Sequence, residues 1–167
     1  MNHTRWLNDE EQQTWRAFLT ANRLLFERVE RQLQNGARMP HAYYEILVRL
    51  SEAPDRTLRM SRLADTSLSS RSRLSHAVAR LEEAGWVERT SCESDRRGAW
   101  AHLTDAGFRA LEKAAPGHVE TVRSVLFDAL TPEQAAALGE ISTALVRHLS
   151  AAPVWPAEDD RGCPEAG

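Results

Sequence analysis

The sequence predicts a mainly α-helical chain with a small β wing: a winged helix-turn-helix set between long terminal helices. Three observations carry this. The stretch Leu58–Leu103 runs in the order short helix, Ser-rich break, amphipathic helix, two β-prone runs around a charged turn. Three long apolar stripes at helical spacing lie outside it, one before and two after. The charge is also uneven. The 167-residue chain carries a net −3, yet Arg56 to Arg97 holds nine arginines against six acids, +3, which leaves −6 elsewhere. A basic centre in an acidic chain is an electrostatic footprint for nucleic acid.

Asn8-Asp9-Glu10-Glu11 can cap and charge a helix start. Trp15, Phe18, Leu19, Leu25, Phe26, Val29 and Leu33 then form one stripe, and Gly36 is the expected stop. Pro40 suits the first turn of a second helix, predicted through Leu50. Ala53-Pro54-Asp55 breaks the chain, and Thr57-Leu58-Arg59 fits a third strand beside the wing hairpin. The central unit begins with a short helix over Met60–Thr66, with Met60, Leu63 and Ala64 facing inward. A second helix is predicted from Ser70 to Ala84, ended by Gly85, with Leu74, Ala77, Val78 and Leu81 on its inner side. Strands are expected at Trp86–Ser91 and Ala99–Leu103 around the turn Ser94-Asp95-Arg96-Arg97-Gly98.

Thr104-Asp105-Ala106-Gly107 opens a third long helix, predicted to run to Leu130, with Leu111, Ala115, His118, Val119 and Val122 on its stripe. Thr131-Pro132-Glu133-Gln134 is a strong helix start: N-cap, proline in the first turn, and a capping-box glutamine. Leu138, Ile141, Leu145 and Leu149 make the last stripe. These readings divide the chain into an N-terminal dimerisation helix (1–38), a winged DNA-binding region (39–105), C-terminal dimerisation helices (106–150) and a Pro-, Gly- and acid-rich tail (151–167) expected to be disordered. The terminal stripes are too far apart in sequence to form a separate domain. Intertwined dimerisation, in which two copies bury each other's stripes, is the economical solution.

The outer face of the second central helix carries Ser70, Arg71, Ser72, Arg73, Ser75, His76 and Arg80, and is poor in acids until Glu82. A solvated face without other purpose usually mixes both signs. Small hydroxyls and guanidinium forks suit base edges and phosphates in the major groove of double-stranded DNA. Arg96 and Arg97, on a charged hairpin tip, suit the narrow minor groove, and Asp95 can orient an arginine there.

On these residues the chain resembles the MarR family of bacterial transcription regulators. The resemblance covers roughly Trp15 to Leu149. Its carriers are Leu63-Ala64, the segment Ser70 to Glu82, Ala84-Gly85-Trp86-Val87, Asp95-Arg96-Arg97, Leu103-Thr104-Asp105-Ala106-Gly107 and Leu130-Thr131-Pro132-Glu133-Gln134. It implies a homodimer on operator DNA, often a repressor, often released by a small phenolic or anionic effector. His76 and Ala79 stand where members often carry Arg and Asp, which leaves base preference open. The resemblance also implies an effector crevice between the dimerisation helices and the winged unit. Trp15, Phe18, His41 and Tyr44 are candidate walls, with Phe26 and Tyr43 nearby in sequence, although the same aromatics suit a core. Arg16, Arg23 or Arg49 are candidate partners for an anionic ligand.

Other chemistries find little support. The six histidines show no paired spacing such as HxxxH, so neither metal nor cofactor is expected, and His118 reads as a hydrogen-bonded core or interface residue. Cys92 lies beside Glu93, which disfavours its thiolate; redox sensing there is an alternative reading. Cys163 sits in the tail. GxSxG, HExxH, Walker and GxGxxG motifs are all missing, so an enzyme is not expected. A winged helix used for protein interaction without DNA is the alternative from another class. No apolar run approaches the roughly 18–20 residues that span a bilayer. With no apolar signal core at the N-terminus, the expected location is cytoplasmic.

Overall fold

A computed structural model describes residues 4–66, 71–92 and 95–149. Its elements are α1 (Asp9–Ala37), α2 (His41–Glu52), β1 (Thr57–Arg59), α3 (Met60–Thr66), α4 (Arg71–Glu83), β2 (Val87–Cys92), β3 (Asp95–Leu103), α5 (Asp105–Val125) and α6 (Pro132–Leu149), with 3-10 turns at Pro54–Arg56 and Phe127–Ala129. The three strands form one antiparallel sheet in the order β1-β3-β2, so the predicted third strand is present. Leu58 stands opposite Ala101, and Thr57 opposite His102, whose Nδ1 lies 2.9 Å from the Thr57 hydroxyl.

Local chemistry accounts for the helix starts. Asn8 Oδ1 accepts from the Glu11 N–H while Glu11 Oε2 accepts from the Asn8 N–H, a reciprocal capping box. Thr131 and Gln134 repeat the device at α6, at 2.9 and 3.3 Å. Several boundaries differ from expectation. α1 runs past Gly36 and ends where Arg38, at φ 52°, takes the left-handed conformation and donates its N–H to Gln34 O. The apolar pull of Met39, buried against the core, selects that end over the glycine. Pro40 is the N-cap of α2 rather than its first residue. α5 stops at Val125, five residues early, in the turn Phe127–Ala129; its Pro116 withholds a donor from the preceding turn without ending the helix.

The core sits inside the winged unit and the inner ends of α1 and α5. Leu33, Leu47, Leu50, Leu63, Val78, Leu81, Val87 and Leu103 are fully buried there. Leu74, Val78 and Leu81 follow one another at four and three residues, so α4 turns a single stripe onto α2 and α3. The outer halves of the stripes behave differently. Trp15 (50% exposed), Phe18, Leu19 and Phe26 on α1, and Ile141 (57%), Leu145 and Leu149 on α6, lie open in the single chain. The alternative core role for Trp15 and Phe18 is therefore not taken among the described residues, while Phe26, also half-exposed, touches only the rim of α2 at His41. None of the described helices is long and apolar enough to cross a membrane.

Candidate nucleic-acid interface

α4 is held by its back and ends in a tight lock. Its last turn closes with Gly85 at φ 71°, where Gly85 N–H donates to Glu82 O and Trp86 N–H to Leu81 O, at 2.8 and 2.9 Å. This is the paired C-terminal bonding that a left-handed residue permits. Thr104 then ties that end to α5. Its hydroxyl donates to Gly85 O (2.7 Å) and accepts from the Gly107 N–H (3.1 Å), while its own N–H reaches Trp86 O (3.1 Å). A Cβ on Gly107 would fall 2.1 Å from Trp86 O, so only glycine allows this approach. Arg89 adds a further tie, its backbone and guanidinium both bonding the Glu82 carboxylate.

Fixed this way, α4 exposes Ser72, Arg73, Ser75, His76 and Arg80 together. Arg80 is not an idle cation: Nη1 lies 2.7 Å from Glu83 Oε2, and that hydrogen bond, with the charge of Glu83, raises its pKa. An incoming phosphate has to compete with Glu83 for it. The backbone of Arg71 starts the helix, but its side chain, and all of Ser70, lie outside the described residues.

The wing departs from the expected turn. Asp95, Arg96, Arg97 and Gly98 belong to β3, not to a loop. Ser91 pairs with Ala99 and Cys92 with Asp95, so Arg96-Arg97-Gly98 form an irregularity with no partner on β2. A bulge of this kind re-aims the residues it carries. The side chains of Asp95, Arg96, Arg97 and Cys92 lie outside the described residues, as does Cys163 with the whole tail 151–167.

The candidate effector residues divide into two groups. Tyr44 and His118 meet at a tilt of 42° with ring centroids 4.4 Å apart, His41 lies 6.2 Å from His118, and Phe26 meets His41 edge-on at 5.8 Å. Trp15 and Phe18 stack on each other at 6.2 Å, two turns further along α1 from Phe26, about 12 Å of helix rise. His118 is the unexpected member. Its Nδ1 is buried with no hydrogen-bond partner among the described residues, and burial followed by the charge of His41 lowers its pKa. Burial likewise raises the pKa of Tyr44. The sign of His118 in the sequence was its place on the α5 stripe, which faces α1 and α2. Of the candidate anion partners, Arg23 bonds Glu27 at 2.8 Å, Arg49 bonds Glu45 at 2.7 Å, and Arg16 bonds Gln12 at 3.2 Å. Among the described residues no group of three or more His, Cys, Asp or Glu is placed to hold a metal ion.

Comparison with known proteins decides the family. Sco3205 of Streptomyces coelicolor, a MarR family transcriptional regulator solved in complex with DNA, is 51% identical over 96% of this chain and 97% of its own, with a TM-score of 0.85. The chain belongs to the MarR family of transcriptional regulators. A sequence profile of the MarR family matches residues 39–98, from Met39 before α2 into the wing. AbsC, a MarR family regulator from the same organism, is 45% identical over 87% of this chain and 98% of its own, at a TM-score of 0.81. The regulator PecS of Dickeya dadantii is 36% identical over 66 residues, 40% of each protein. At 20% identity and a TM-score of 0.72, a mutant of Escherichia coli MarR complexed with operator DNA shares the fold. MarR family proteins are regulators, not enzymes, in accord with the lack of catalytic motifs.

Proposed function

We propose that this MarR family chain is a homodimeric, sequence-specific DNA-binding repressor, acting in the cytoplasm and released by a small aromatic or anionic effector. The observation that carries the reading is the exposed face of α4, where Ser72, Arg73, Ser75 and His76 stand together on a helix locked from behind. The DNA complex of Sco3205, similar over nearly the full length, supports it. Arginines of α4 and of the wing, Arg71, Arg73, Arg80, Arg96 and Arg97, supply phosphate contacts that position the protein. Ser70, Ser72, Ser75 and His76 read base edges, and Asp95 orients a wing arginine. The α4 face is polar and charged, which disfavours an apolar protein-docking role.

The open stripes of α1 and α6 support dimerisation, since two copies can cover them mutually. A two-fold dimer presents two α4 helices to successive major grooves of a pseudo-palindromic site, about 34–36 Å apart. The cluster of His41, Tyr44, Phe26 and His118 lies where α1, α2 and α5 meet and forms the inner wall of the effector crevice. Trp15 and Phe18, on the open stripe, join that wall only across a dimer.

Fluorescence anisotropy with DNA from upstream of the chain's own gene tests the reading. Binding should weaken steeply with salt, because it releases counterions from phosphates. Arg96→Ala/Arg97→Ala should weaken binding to all sequences alike, whereas His76→Ala should change the ranking among operator variants. No binding at low salt, or wild-type affinity in the double arginine variant, would contradict the assignment.

A further inference from the structure

A cleft of about 390 Å³ opens between the end of α1, the start of β2 and the second and third turns of α5. Its size falls within the range of small-molecule sites. It is separate from the aromatic cluster: His41, Tyr44 and His118 do not line it, and on α5 Lys113 and His118 point about 140° apart. Met39 and Ala110 supply apolar wall, Trp86 an indole and Asn35 an amide, while Arg38 and Lys113 contribute two cations. No carboxylate lines the cleft, and among the described residues neither cation has an ion pair. Two cations facing one concavity with no carboxylate on its wall give that concavity a positive lining. The C-terminal end of α1 adds roughly half a negative charge, which two cations outweigh.

We propose that this cleft binds a small organic phosphate bearing a planar ring. The guanidinium fork of Arg38 and the point charge of Lys113 suit a phosphate dianion, and the Trp86 indole suits a flat ring. Asn35 can hydrogen-bond the remaining polar edge. Occupancy bears on α4, because Trp86 is the residue whose N–H closes the last turn of that helix and whose carbonyl receives Thr104 at the head of α5. This coupling rests on the DNA-binding reading above; binding to the cleft does not.

Calorimetry on the DNA-free protein with adenosine 5′-monophosphate as probe tests the site, with adenosine and inorganic phosphate as its separate halves. The variants are Lys113→Glu and Arg38→Asn, asparagine being chosen because it tolerates the left-handed conformation of that cap. The expected result is binding of the whole probe, weaker binding of either half, and an affinity loss of about tenfold or more in each variant, as for removal of one charge-assisted contact. No heat with the probe at millimolar concentration overturns the proposal, as does wild-type affinity in both variants. Loss of DNA affinity in Lys113→Glu, with no probe binding to the wild type, also overturns it and assigns the two cations to duplex phosphates.

Discussion

The winged unit and the terminal helices use the same apolar residue types to opposite ends. Leu47, Leu63, Val78, Leu81 and Leu103 are sealed from water by neighbours in the same chain. Trp15, Phe18, Ile141, Leu145 and Leu149 sit at equally regular helical spacing and remain open. Spacing alone tells which residues share a face; it does not tell which chain covers that face. The winged unit thus owns its core, while the outer parts of the terminal helices leave their apolar stripes uncovered. At about 25 cal/mol per Å² of apolar surface, a second copy has substantial burial to gain there.

Changes to the closed region should cost folding directly. The largest effect is expected for Leu81→Ala, which empties a fully buried site and should cost about 2–5 kcal/mol in urea unfolding. Gly107→Ala comes next. Its Cβ would meet a backbone carbonyl that cannot swing away, and a loss of about 1–3 kcal/mol is expected by the same measurement. Thr131→Ala, which removes one half of the α6 capping box, should cost about 1 kcal/mol. It should appear as faster amide exchange in the first turn of α6 and leave α4 unchanged.

The smallest effect is a pH dependence. His118 faces His41 and Tyr44, and its folded-state pKa lies below the ordinary 6.5. Below that value the unfolded chain therefore binds more protons than the folded one. The contribution is intact above about pH 6.5, declines as pH falls from there toward the folded-state value, and then levels off. His118→Phe, which keeps an aromatic ring against Tyr44, should flatten that part of a thermal-unfolding profile. An unchanged slope would remove His118 from the account.

Much of this architecture was legible in the residues. The helix starts at Asn8 and Thr131, the inner stripe of α4 and the third strand Thr57–Arg59 all follow from local chemistry, which a sequence displays. The rest depends on contacts distant in sequence. Arg38 ends α1 because Met39 is drawn into the core, an effect that outweighs the turn preference of Gly36. The wing arginines sit in a strand because Asp95 pairs with Cys92 and Ala99 with Ser91, which keeps the segment between them on the sheet edge. The polar face of α4 was readable as a face, but the engagement of Arg80 by Glu83 was not, since the same arginine can turn either way from its backbone. Gly107 was read only as part of a helix opening; its reason is a carbonyl twenty-one positions earlier.

The measurement that tests the central claim most directly is DNA affinity in a chain whose open stripe is broken. Ile141→Glu/Leu145→Glu places two charges on the exposed side of α6 and touches nothing buried. Titrated against a pseudo-palindromic operator, this variant should unfold as cooperatively as the wild type, sediment as a monomer and bind at least about tenfold more weakly, because one recognition helix then acts without its pair. A monomeric variant that retains wild-type affinity would contradict the account, as would a wild-type chain that is itself monomeric on binding.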